Sequence, residues 1–159
     1  MIAPFTDAQT HDAVALLHGA RAARTDPVGS EDAVKRALDL APDDFTIRLA
    51  AYKFYFYNHR LGEALPHAEI ILNLLARRLN IAQDWAAVAP EDAAFDDLDE
   101  APSLYLQALL AWGYCKARLG AFEHGARAIA KVAELNPRDR FGARRLLVVI
   151  ENGTLAEED

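Results

Sequence analysis

Cysteine and lysine are scarce in this 159-residue chain: Cys115 is the single cysteine, and Lys35, Lys53, Lys116 and Lys131 are the only lysines. One thiol excludes an intrachain disulfide, so no framework of bridges holds the fold. Few lysines beside abundant alanine point to a GC-rich bacterial genome. Long apolar runs are missing too. Segments such as 70–75 are interrupted by polar residues far short of the ~20 needed to cross a bilayer, which argues against a membrane span. The Met-Ile-Ala-Pro-Phe start carries neither the basic nor the apolar region of a secretory signal, so a cytoplasmic location is expected. Positive charge is in deficit. With 17 Lys and Arg against 24 Asp and Glu the formal charge is -7, which repels a polyanion and argues against DNA or RNA as a partner.

The motifs that carry chemistry are missing as well. No Gly-rich phosphate loop, nucleophile elbow or dinucleotide fingerprint occurs. His11, His18, His59, His67 and His124 include no pair four apart with an intervening Glu, as a helical zinc site needs. His11 and His18 could share a helix face and read as a solvated pair. The carboxylates Glu91, Asp92, Asp96, Asp97, Asp99 and Glu100 lack the central glycine and final bidentate Glu of a calcium loop. They read as a solvated acidic loop. Cys115, between Tyr114 and Lys116, reads as a small core residue, not as a nucleophile. The expectation is a protein without catalytic residues, metal or cofactor.

What the chain has is helical periodicity. Hydrophobic residues make up 52% and charged residues 26%, enough apolar material to fold alone. Apolar residues recur at intervals of three and four, and strand-like alternation is nowhere sustained. A first helix is expected over about 6–23 with Thr6 as N-cap, broken by Asp26-Pro27-Val28-Gly29. A second opens at Ser30 and ends after Leu40 because Pro42 follows. Asp43 or Asp44 caps a third helix through Tyr57. After Asn58-His59-Arg60 a fourth runs to Leu79, with a late start or a kink caused by Pro66. Residues 80–102 lose the period and form an acidic insertion, with a helical turn after Pro90. Ser103 caps a fifth helix to Arg118, Gly120 terminates it, a sixth covers 122–135, and a last helix spans about 139–151. The tail 153–159 is expected to fray.

Helical hairpins recur here at a period near 34 residues. The clearest unit, 106–139, supplies Trp112-Gly113, Gly120, Phe122, Gly125, Ile129, Val132, Leu135 and Pro137 at matched spacing. Gly113 and Gly125 are expected to face each other at the closest approach of two helices, where only small side chains fit. This pattern resembles the tetratricopeptide-repeat family. A second unit, 45–78, resembles it through Tyr55, Leu61, Glu63-Ala64, Ala68 and Leu72, but has Tyr52 where Gly or Ala is expected and no closing proline. A third, 11–42, keeps Leu17, Ala33, Ala37, Leu38, Leu40 and Pro42. The resemblance implies an all-α fold: a short solenoid of about three antiparallel hairpins, two of them degenerate, forming one domain over 1–152 with a C-terminal capping helix.

By the same resemblance, the concave face of such an array grips a peptide or a partner helix. Its groove positions fall here on Thr46, Leu49, Lys53, Phe56 and Tyr57, on Gln107, Leu110, Tyr114 and Arg118, and on Asp12, Ala15 and Gly19. Leu49 and Lys53 stand where the subfamily that clamps acidic chaperone tails begins with a lysine and an asparagine, so a partly apolar partner segment is expected instead. The aromatics of 52–57 lie on every side of one helix. Either they pack on neighbouring hairpins and the insertion, or Phe56 and Tyr57 form a binding platform; in a variant, Trp85 or Phe95 of the insertion plugs the groove. The implied function is a non-catalytic adaptor or assembly factor. A chaperone for a secreted or aggregation-prone client is the alternative, and an enzyme or cofactor carrier a third class. Homodimerisation through an exposed end face is a further expectation.

Overall fold

Single residues decide where the helices of this chain start and stop. The computed structural model describes residues 27–96 and 100–152. Among these the chain is all-helical: α1 Pro27–Leu40, α2 Phe45–Tyr57, α3 Leu61–Leu79, α4 Glu100–Arg118, α5 Phe122–Leu135 and α6 Ala143–Glu151, with 3-10 turns Trp85–Ala87 and Pro90–Asp92 between α3 and α4. The expected first helix, its positions Asp12, Ala15 and Gly19, His11 and His18, and the tail 153–159 lie outside the described residues.

Three helices end alike. His59, Asn80 and Gly120 have φ of 59, 57 and 104°. The next residue's N–H then reaches back to a carbonyl five positions earlier: Arg60 to Tyr55 at 2.9 Å, Ile81 to Ala76 at 3.0 Å and Ala121 to Lys116 at 2.9 Å. The left-handed residue turns the chain and the back bond occupies a carbonyl that the helix leaves open. At the start of α2, Asp44 accepts the Ile47 N–H at 3.0 Å, one of the two caps expected.

Three expected boundaries are corrected, and of the two alternatives at Pro66 the late start does not hold. α1 starts at Pro27, not Ser30, because proline in a first turn gives up an N–H that has no helical partner and already holds a helical φ. The same reason lets α4 start at Glu100 with Pro102 in its first turn, so Ser103 is not its N-cap. α3 runs from Leu61 without a late start and contains Pro66. The acceptor that loses its donor is Gly62, which is exposed to water. α6 begins at Ala143, not Asp139, since Asp139 at φ 55° and Gly142 at φ 72° hold that segment out of the helical region.

The chain forms two compact units, Met1–His67 and Ala68–Asp159, with the boundary inside α3. In unit 1 the core is Val34, Ala37 and Ala41 against Ile47 and Ala51, flanked by Leu38, Leu40, Ala50 and Phe54. In unit 2, α4 and α5 meet so closely that a Cβ on Gly113 would stand 2.9 Å from the Gly125 carbonyl oxygen, and one on Gly125 2.5 Å from that of Gly113. The two glycines do face each other, and their antiparallel helices touch backbone to backbone. α6 packs on α5. Asn136, 1% exposed, ties the insertion down by donating to the Phe95 carbonyl at 3.0 Å.

Candidate functional site

In unit 1 the aromatic run of α2 divides. Tyr55 is buried and Phe54 packs against the core, while Tyr57 is 72% exposed. Between these extremes Tyr52 and Phe56 are half-buried with ring centroids 5.5 Å apart, and Phe56 meets Tyr57 edge-on at 5.5 Å. Of the other groove positions on α2, Thr46 and Lys53 are exposed and Leu49 is half-buried.

Tyr55 anchors a charged network. Its hydroxyl donates to Glu31 at 3.0 Å, and Arg60 donates to both Glu31 oxygens at 2.8 and 2.9 Å and to both of Glu63 at 2.7 and 2.6 Å. The Arg60 fork and the Tyr55 hydroxyl hold the Glu31 carboxyl down to about 2, against the opposing effect of burial. Burial and the Glu31 charge push the Tyr55 phenol up to about 12. His67 stacks on the Tyr55 ring, centroids 5.5 Å apart, and its Nδ1 accepts from Arg48 at 3.1 Å. Burial, then the Arg48 charge, lower His67 to about 4. That neutral imidazole suits an acceptor and leaves the proton on Nε2. Glu31 and His67 are thus each engaged by an arginine, and the network reads as a clasp, not as an acid–base pair.

In unit 2 the expected groove residues form one stripe on α4. At 3.6 residues per turn Gln107, Leu110, Tyr114 and Arg118 share a side, and Tyr105 and Trp112 fall opposite. Gln107 is exposed and the other three are half-buried. Arg118 donates to the Tyr114 hydroxyl at 3.1 Å.

The opposite side of α4 is the one that the insertion covers. Trp85 lies 5.8 Å from Trp112 and 5.9 Å from His124, and Trp112 meets His124 edge-on at 5.0 Å. Phe95, 3% exposed, lies 6.1 Å from the Tyr105 ring. Beside these rings opens a cleft of about 280 Å³ floored by Leu72, Tyr105 and Trp112. Its rim carries the carboxylates Glu69 and Asp84 and the amides Asn73 and Gln83. Burial, then the Asp84 charge, push Tyr105 up to about 12. The Trp112 Nε1–H is buried and has no acceptor among the described residues. Sequence reasoning weighed Trp85 as a groove plug and His124 as a metal ligand and did not assemble this cleft. The signal available was Trp85 next to Asp84; Trp112 has no acidic neighbour in sequence. Cys115 is fully buried, and burial pushes its thiol up to about 12, which suits the core role expected for it. Among the described residues no three His, Cys, Asp or Glu side chains gather as metal ligands do, and no helix is long and apolar enough to cross a membrane.

One curated protein is 37% identical to this chain over 123 residues, 76% of this chain and 69% of its own length: an uncharacterized 19.8 kDa protein in the nifW 5′ region of Azotobacter chroococcum mcd 1. The chain belongs to the same family as that protein. No family model matches it, and no solved structure matches it.

Proposed function

We propose that this member of the nifW-region protein's family is a non-catalytic, tetratricopeptide-like binding module of the cytoplasm that holds a partly apolar segment of another protein. The contact residues are Thr46, Leu49, Lys53, Phe56 and Tyr57 on α2, with Gln107, Leu110, Tyr114 and Arg118 of α4 as a second contact. The observation that carries the reading is Tyr57: a large ring 72% exposed, in edge contact with Phe56, on a helix whose other side already fills a core. Exposed tyrosines backed by another ring make good anchors in interfaces because they bury much area at little cost in side-chain freedom. The backbone approach of Gly113 and Gly125 supports the tetratricopeptide likeness on which the groove positions rest.

The test is affinity capture from the source cell's lysate with wild type, Tyr57→Ala and Lys53→Glu side by side, followed by titration of the captured protein. A partner held by wild type and bound at least ~30-fold more weakly by Tyr57→Ala, with both variants melting as wild type does, fits an anchor worth about 2 kcal/mol. Equal binding by all three proteins removes α2 as the contact surface. A client that stays soluble only when co-produced with this chain turns the reading from adaptor to chaperone.

A further inference from the structure

The chain has two tryptophans, and both line the cleft of unit 2, well away in sequence from the α2 surface. The geometry points to this cleft as a binding site for an organic ammonium group, beside the Trp85 and Trp112 rings and balanced by Glu69 and Asp84, with the buried Tyr105 beneath.

Three features select that chemistry. The lining combines π-faces with two carboxylates and contains no lysine or arginine, so its field favours a cation, and aromatic faces attract a weakly hydrated ammonium best. The Trp112 ring already takes one: the Lys116 ammonium, which does not line the cleft, lies 5.4 Å from its centroid. Size limits the guest. At roughly 30 Å³ per water-sized group, a cleft of about 280 Å³ holds on the order of nine such groups, enough for a choline-sized molecule or the end of one lysine side chain. The Trp112 N–H, buried without an acceptor among the described residues, favours a guest with a hydroxyl or carbonyl oxygen next to its ammonium. Asp84 is fixed for its part because it also caps the 3-10 turn, accepting the Ala86 N–H at 3.0 Å. Glu69 is exposed on α3 and can close on the guest from the rim.

The experiment is a titration of the full chain's tryptophan emission, which reports only this cleft. The probes are choline, N-acetyl-lysine methylamide, and the neutral tert-butyl analogue of choline as control. A saturable response to choline alone identifies a free quaternary amine, and one to the lysine derivative identifies a side chain of a peptide. Either supports the site, provided the neutral analogue gives no saturable response and Glu69→Gln weakens binding by roughly 5- to 10-fold. No saturation with either cation, an equal response to the neutral analogue, or unchanged affinity in Glu69→Gln overturns it. Trp112→Phe, which keeps an aromatic face and loses the N–H, should still bind and leave Trp85 as sole reporter. Its result stands apart from partner capture through Tyr57, so the two readings fail separately.

Discussion

The two units are built from the same kind of helix and held by different physics. Unit 1 closes around charge: Glu31 takes the Arg60 fork and the Tyr55 hydroxyl, and His67 lies on Tyr55 as an acceptor for Arg48. Unit 2 closes around volume. Gly113 and Gly125 bring two backbones together, and Ala117 and Ala128 stand within the distance at which any added side chain would collide. A clasp of charges makes stability a function of pH, whereas a seam of glycines makes it a function of side-chain size. Each unit should therefore fail under a perturbation that the other tolerates.

The largest effect expected is Gly113→Leu. Its Cβ alone would sit 2.9 Å from the Gly125 carbonyl oxygen and 2.9 Å from the Ile129 side chain, and backbone on the far side cannot yield as a flexible side chain does. Overpacking of this kind costs about 3 kcal/mol or more, enough to open unit 2. Cys115, the only thiol, fully buried and on the side of α4 opposite the seam, becomes accessible only if unit 2 opens as a whole, and so reports it. It should react slowly with a thiol reagent in the wild type and rapidly in the variant, while amide exchange in α2 stays slow. A native-like, unreactive Gly113→Leu protein would show that the helices can part at no great cost.

Acid is the corresponding test of unit 1. His67 is held at about 4, below its ordinary 6.5, so the unfolded chain takes up that proton first. Its contribution is complete above pH 6.5 and is lost as pH falls toward 4; allowing for solvent screening of a half-buried ring, it is about 2 kcal/mol at most. Glu31, held at about 2 against an ordinary 4.5, contributes above pH 4.5 and loses its share as pH falls to 2. Allowing for solvent screening, that share is about 1 kcal/mol. Among the described residues of unit 2 the shifted groups are Tyr105 and Cys115, both pushed up to about 12, so their contributions fade toward alkali and not toward acid. Amide protection factors, with the intrinsic pH dependence of exchange divided out, should fall in α1 and α2 before α4 and α5 as the pH drops from 7 to 3. His67→Phe should flatten the upper part of that profile. Simultaneous loss in both units would mean that the network does not govern unit 1.

The same contrast explains what could be read from the sequence. Contacts set by one residue's shape or one turn were legible: Asp44 as a cap, Gly120 as a stop, the bounds of α5, and the meeting of Gly113 with Gly125. Prolines were misread at helix starts, where Pro27 and Pro102 fit inside a first turn, and Pro66 delays nothing because an exposed glycine carries the orphan carbonyl. The cleft was not legible. It draws on α3, the insertion, α4 and α5, and which face of α4 an insertion covers depends on long-range packing that no local pattern encodes. The clasp escaped for the same reason, since Glu31, Tyr55 and His67 each look like an ordinary position on its own helix.

The smallest effect separates the units at their helix ends. Asp44 in unit 1 accepts the Ile47 N–H at 3.0 Å from an extended backbone with φ -73 and ψ 125°. In unit 2, by contrast, the cap residues Ala121 before α5 and Gly142 before α6 give no side-chain bond, and α6 has only the longer bond in which Asp139 accepts the Arg144 N–H at 3.3 Å. Asp44→Ala removes an acceptor from a donor that the helix cannot satisfy, a loss of about 1 kcal/mol. Asp44→Asn, which keeps the oxygen and drops the charge, should recover most of it, leaving only the few tenths that an anion gains from the helix dipole. The difference should appear as faster exchange in the first turn of α2, with Cys115 reactivity unchanged. If Asp44→Ala instead exposed Cys115, the two units would be opening as one, and the division between charge and volume drawn from their interiors would not extend to how they unfold.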